Sequence, residues 1–131
     1  MYLSIFTMEK LRKAGFNFGE DEHLCYTGCV YFYNGKNYII GGIDDPEYGK
    51  FTELDQKVSA KGSRLATEID LLNYIENNGY SFEIKRSTTE RYYYADLIGD
   101  NGHKFSSSGP TFDIFLYKSV FKIARYLNLG R

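Results

Sequence analysis

At 131 residues, with 43% apolar and 25% charged side chains, the chain has the length and balance of one globular domain, and it can bury a core without disulfide or metal. A net charge of −1 excludes a protein that wraps nucleic acid through charge alone, while leaving room for a local basic face. No charged start followed by an apolar stretch marks a secretory signal, and no apolar run approaches the ~20 residues that span a bilayer, so the expectation is a cytoplasmic protein.

In chain order, Thr7 reads as an N-cap and Met8 to Ala14 as a short helix, stopped by Gly15 with Phe16 as its closing apolar contact. Residues 17–24 are polar and acidic and read as a loop. Tyr26 to Ile43 is the clearest hairpin, because Asn34-Gly35 between Tyr-, Val- and Phe-rich runs accepts φ > 0 at both turn positions. Residues 44–64 read as a polar linker, with a short extended piece at Phe51 to Val58. Thr67 then caps a second helix whose apolar stripe runs Leu65, Ile69, Leu72, Ile75 and ends at Asn78-Gly79. Tyr80, Phe82 and Ile84 alternate with polar residues as a strand. Arg86 to Glu90 is a turn, Arg91 to Ile98 a second strand and His103 to Ser106 a short third. Thr111 caps a last helix reaching about Leu127, its stripe Phe112, Phe115, Leu116, Val120, Ile123 and Leu127. Ile69, Leu72, Phe82, Ile84, Leu116, Val120 and Ile123 are expected to be buried together.

This order predicts one α+β domain over residues 1–131: an antiparallel sheet built from two hairpins, with helices packed on one face. Leu65-Ala66-Thr67, a short amphipathic helix, Tyr80-Ser81-Phe82-Glu83-Ile84, Tyr92-Tyr93-Tyr94-Ala95-Asp96, then Ser108-Gly109-Pro110-Thr111 and a long helix follow one another over residues 65–127. That stretch resembles the phage ABA sandwich domain family of small phage and prophage accessory proteins. Its closing helix departs from the family's Ala-rich pattern by carrying Phe115, Tyr117 and Phe121. The resemblance implies a phage or mobile-element origin and brings no catalytic residues.

Residues with chemistry are few. Cys25 and Cys29 are spaced as neither a redox pair nor a zinc knuckle; on a strand they share a face ~13 Å apart, too far to bridge. The expectation is two free thiols. Joined to His23 they would still lack the remaining ligand of a structural zinc site. The carboxylates Asp44, Asp45, Glu47, Glu53 and Asp55 come without a calcium-loop, P-loop or nuclease pattern and read as a solvated acidic segment. No metal, no cofactor and no catalytic set are therefore expected.

Composition points to contact surfaces instead. Thirteen Tyr and ten Phe make the chain 18% aromatic, with no Trp. Alternation puts Tyr93, Ala95 and Leu97 toward a core, so Tyr92 and Tyr94 project from the side the helices leave open. Tyr31 and Tyr33 are expected to do the same in the first hairpin and to extend that patch if both hairpins share a sheet. Lys118, Lys122 and Arg125 fall on one face of the last helix. The leading expectation is a non-catalytic phage or mobile-element protein that occupies a site on a host protein, such as a component of a defence system. The alternative is a nucleic-acid or nucleotide-binding module in which the Tyr residues stack bases and the basic stripe meets phosphates. Neither reading involves a membrane, and a homodimer is compatible with both.

Overall fold

The structure is a computed structural model and describes residues 1–41 and 51–129. Asp44, Asp45 and Glu47, the first half of the acidic segment, lie outside the described residues. The fold is α+β, with antiparallel pairing throughout. It divides into two compact units: Tyr2–Lys10 with Asn17–Thr67, and Met1 and Leu11–Phe16 with Glu68–Arg131. Helix α1 (Ile5–Ala14) contributes residues to both. The two predicted hairpins fall in different sheets, one in each unit.

In the first unit α1 begins three residues before the predicted start. Ser4, not Thr7, is the cap: its hydroxyl accepts the Thr7 backbone N–H at 3.2 Å and spends its own proton on the Thr7 hydroxyl at 3.0 Å. Strands β1 (Val30–Tyr33) and β2 (Lys36–Ile39) form the predicted hairpin, with Asn34 at φ 50° and Gly35 at φ 76° in the turn. The order is β2-β1-β3, where β3 (Ser63–Leu65) pairs antiparallel with β1, a strand that the linker reading missed. Between them the linker holds a helix, α2 (Glu53–Lys61), where an extended piece was expected. Thr52 and Asp55 form a capping box, each side chain taking the other's backbone N–H at 3.0 and 3.1 Å. The Thr-x-x-Asp signal was present in the sequence, and it puts two of the clustered carboxylates, Glu53 and Asp55, at the positive end of a helix.

Tyr31, Cys29, Ile40 and Val58 make a buried cluster in this unit, with Cys25, Tyr33, Tyr38 and Phe51 packed against it. Tyr31 is 0% exposed and donates its hydroxyl to the Leu24 carbonyl at 2.7 Å. Burial pushes its phenol well above the ordinary range, with Cys29 adding in the same direction. Tyr33 is half-buried, its ring 6.2 Å from Tyr38. Cys25 and Cys29 are free thiols. They flank a turn closed by the Cys29 N–H on the Tyr26 carbonyl, so the strand geometry expected for them does not hold.

The second unit opens with the end of α1. Gly15 turns at φ 120°, Phe16 returns its N–H to the Leu11 carbonyl, and the Phe16 ring is buried 4.9 Å from Tyr74, as the sequence predicts for a Schellman cap. Helix α3 (Glu68–Asn77) starts directly after Thr67 and ends at Gly79, φ 80°. Its buried side carries Leu71 and Ile75, while Leu72 is half-buried and Ile69 is 67% exposed. The predicted stripe is out of phase because it was anchored on Leu65, which belongs to β3.

Strands β4 (Tyr80–Phe82) and β5 (Lys85–Ser87) lie end to end along one side of β6 (Tyr92–Gly99) in a single register, Phe82 opposite Leu97 and Lys85 opposite Tyr94. The strand thus continues through Arg86, and the turn is Thr88 to Arg91, with Arg91 at φ 55° and its N–H on the Ser87 carbonyl. Ile84 falls in the break between β4 and β5 and is exposed, against expectation. On the other side β6 pairs with β7 (Lys104–Gly109). Helix α4 (Phe112–Leu129), capped by Thr111, packs on β6 and β7, and α3 packs on α4 and β4. Leu71, Ile75, Leu97, Phe115, Leu116, Val120 and Ile123 are fully buried among them.

Candidate functional site

Strand β6 alternates cleanly. Ala95, Leu97 and Gly99 are buried under the helices, and Tyr93 faces Phe112 at 6.1 Å. Tyr92, Tyr94, Asp96 and Ile98 therefore stand on the other face, which neither α3 nor α4 covers. Tyr94 is 40% and Ile98 49% exposed. The rings of Tyr92 and Tyr94 meet at a tilt of 52°, centroids 5.5 Å apart.

Cross-strand register surrounds them with polar side chains. Lys85 and Ser108 flank Tyr94, Ser106 flanks Asp96, and Ser81 and Lys104 flank Ile98. The same register would set Glu83 opposite Asp96, and the ladder between β4 and β5 is interrupted there; like charges directly opposed destabilise a strand pair. Apart from Lys104, these residues line an open hollow of about 1160 Å³, with Lys122 of α4 at its rim.

The charges on this face are organised. Asp96 accepts the Ser106 hydroxyl at 2.7 Å and sits 3.6 Å from the Lys104 ammonium. The Ser106 hydrogen bond, then Lys104, holds its carboxyl below the usual range. At the other end Glu90 pushes the Tyr92 phenol above its usual range. Lys122 reaches around β7 to donate to the Ser106 carbonyl at 2.6 Å, its ammonium 5.9 Å from the Phe105 ring. Lys118 and Lys122 also border a second, smaller hollow of about 360 Å³ with Tyr117, Phe121 and Ser108.

Tyr92, Tyr94 and Lys122 are thus brought to one hollow, and Lys118 to the adjoining one. Arg125 is exposed on α4 and lines neither. Tyr31 and Tyr33 are not brought there: they belong to the other sheet, and Tyr31 is a core residue that presents nothing to a partner. Arg86 lies on the opposite face of the sheet, over the Tyr93 ring at 5.6 Å. Sequence reasoning set Asp96 beside Tyr92 and Tyr94 by alternation but missed Ile98, Ser106 and Ser108 as members of the face. Extending the β6 alternation by two residues, and applying the same period to Lys104-Phe105-Ser106-Ser107-Ser108, would have found them.

The His103 ring stacks on Tyr126 at 3.6 Å and 2°, and its Nδ1 lies 2.7 Å from the Tyr80 hydroxyl, whose pKa burial raises. His23 Nδ1 donates to the Ser59 carbonyl at 3.0 Å, so it is tied to α2. Among the described residues no group of three or more His, Cys, Asp or Glu could hold a metal, and no helix is long and apolar enough to cross a membrane. No family model, no curated protein and no solved structure matches this chain.

Proposed function

We propose that the protein is a non-catalytic binding module that works by occupying a site on another protein with the open face of β6. The observation that carries this reading is the touching Tyr92 and Tyr94 pair, with exposed Ile98 further along the same face beyond Asp96, left uncovered by α3 and α4 and set among polar groups. Contiguous apolar area of this kind on a soluble domain marks a contact surface. Tyrosine suits it, giving area and a hydroxyl at low entropic cost. A phage or mobile-element source, with a host protein such as a defence component as the partner, rests on the resemblance of residues 65–127 alone. A cytoplasmic setting fits the two free thiols.

The test is the double change Tyr92→Ala, Tyr94→Ala, read by thermal melting and by capture of partners from host lysate. Loss of a captured protein with the melt preserved supports the reading. Undiminished capture with an intact fold overturns it. A second reading, single-stranded nucleic acid on the same face, is favoured by Lys85 and Lys122 in the hollow with the Tyr pair. Glu83 and Asp96 on that face oppose it. Salt separates the two: phosphate contacts weaken steeply as salt rises, whereas a Tyr-anchored protein interface does so much less.

A further inference from the structure

We infer that the free edge of β7 takes an acidic, extended segment of the partner by strand addition, with Lys122 holding the place of the missing strand. The inference deepens the protein-binding reading and rests on it.

Among the described residues β7 pairs with β6 alone, and its other edge carries no strand. Gly99 donates to the His103 carbonyl at 2.7 Å, which assigns the odd-numbered backbone groups of β7 to β6. In an antiparallel strand the N–H and C=O of one residue point the same way and successive residues alternate. Lys104, Ser106 and Ser108 therefore direct their main-chain groups outward. The contact from Lys122 to the Ser106 carbonyl, 2.6 Å, agrees with that phase. Its ammonium stands where the N–H of an added strand would stand. An exposed lysine is readily displaced from such a position, and once displaced it is a free cation beside the incoming chain.

The side chains next to that edge state the occupant's chemistry. Tyr117 and Phe121, rings 6.0 Å apart and both half-buried, form an apolar floor beside Ser108. Among the described residues the charged lining consists of Lys118 and Lys122, with no carboxylate in the hollow. Neither lysine is ion-paired among the described residues. An extended peptide alternating carboxylate and apolar or aromatic side chains matches all three features: backbone to the edge, apolar groups on the floor, carboxylates on the lysines. A second copy of this chain fits poorly, since two-fold pairing along β7 would bring like-charged lysines together. The plain alternative is that Lys122 only guards the edge against aggregation.

The test uses a blocked synthetic peptide of alternating Glu and Tyr, as long as β7, and the same peptide with Lys for Glu. The expected result is amide hydrogen exchange at Ser106 and Ser108 slowed about tenfold or more by the Glu peptide and unchanged by the Lys peptide. Ser108→Pro, tolerable where an edge N–H faces solvent, should abolish binding. Lys122→Ala should weaken it about fivefold, the scale of one exposed ion pair. Should Ser108→Pro fail to fold, Lys118→Glu with Lys122→Glu replaces it, touching exposed side chains only, and should abolish binding of the Glu peptide. Unchanged exchange at both amides, equal binding of the Lys peptide, protection by a single-stranded oligonucleotide instead, or protection that grows with protein concentration alone would each overturn the inference. Lysine acting only as an edge guard predicts that Lys122→Ala promotes self-association and leaves no peptide binding to lose. The face and edge are separable: undiminished partner capture in Tyr92→Ala, Tyr94→Ala sinks the face reading, whereas peptide binding lost in Tyr92→Ala, Tyr94→Ala and kept in Ser108→Pro sinks the edge.

Discussion

The hydroxyls of Ser119 on α4 and Ser107 on β7 are hydrogen-bonded, 2.9 Å apart, in the interior between helix and sheet. Ser119 Oγ also lies 2.8 Å from the Phe115 carbonyl, one turn earlier. A hydroxyl carries one proton, so where Ser119 gives its own to that carbonyl, Ser107 supplies the proton of the pair. Ser119→Ala leaves the Ser107 hydroxyl buried without a partner and is expected to destabilise by about 1–3 kcal/mol. Adding Ser107→Ala should recover part of that loss, because both partners are then apolar. Chemical denaturation of both single variants and the double closes the cycle. Strictly additive effects would show that the pair contributes nothing as a pair.

Leu71 and Ile69 are neighbours two apart on α3 with opposite surroundings, 0% and 67% exposed. Leu71→Ala is expected to cost about 2–5 kcal/mol, the range for truncation in a well-packed core. Ile69→Ala should stay within about half a kcal/mol. Equal effects in denaturant titrations would put the helix in a different phase.

The same contrast holds between two tyrosines. Tyr31→Phe removes the donor to the Leu24 carbonyl and is expected to cost about 0.5–1.5 kcal/mol, and Tyr31→Ala about 3–5 kcal/mol. Tyr94→Ala should move stability by about half a kcal/mol. Thermal melting distinguishes them. A large loss for Tyr94→Ala would mean that something covers the open face.

The Asp96 carboxyl is held below its usual range, first by the Ser106 hydroxyl and then by Lys104. Folding therefore favours its ionised form. The contribution is fully present above the ordinary carboxylate value of 3.8 and is lost progressively as pH falls from there through the depressed folded value. Ser106→Ala should raise the Asp96 midpoint more than Lys104→Ala, whose ammonium is 3.6 Å away and well exposed. Carboxyl NMR titration measures both. An unmoved midpoint in Ser106→Ala would remove the hydroxyl as the cause.

Much of the chain was legible because the signals were local. Asn34-Gly35 makes a hairpin wherever it sits between strands, since few other pairs accept φ > 0 twice. Gly15-Phe16 closes α1 by the same kind of backbone rule, and the period-2 pattern of Tyr92 to Ile98 assigns each side chain to a face before any partner strand is known. Thr52-x-x-Asp55 was equally local and went unused, which is why α2 was read as an extended piece.

Only the tertiary structure decided what depends on partners far along the chain. Whether Tyr31 faces solvent turns on Val58 of α2 and on β3 pairing with β1, contacts about thirty residues away that no alternation within β1 encodes. The division of the hairpins between two sheets has the same origin, because one antiparallel strand carries no mark of which other strand it will join. The Lys122 contact with Ser106 is further hidden: it involves a backbone carbonyl, and every residue has one. Sequence pattern reports where side chains point. Which edge of a sheet stays open is a property of the assembled backbone, and only the assembled chain reveals it.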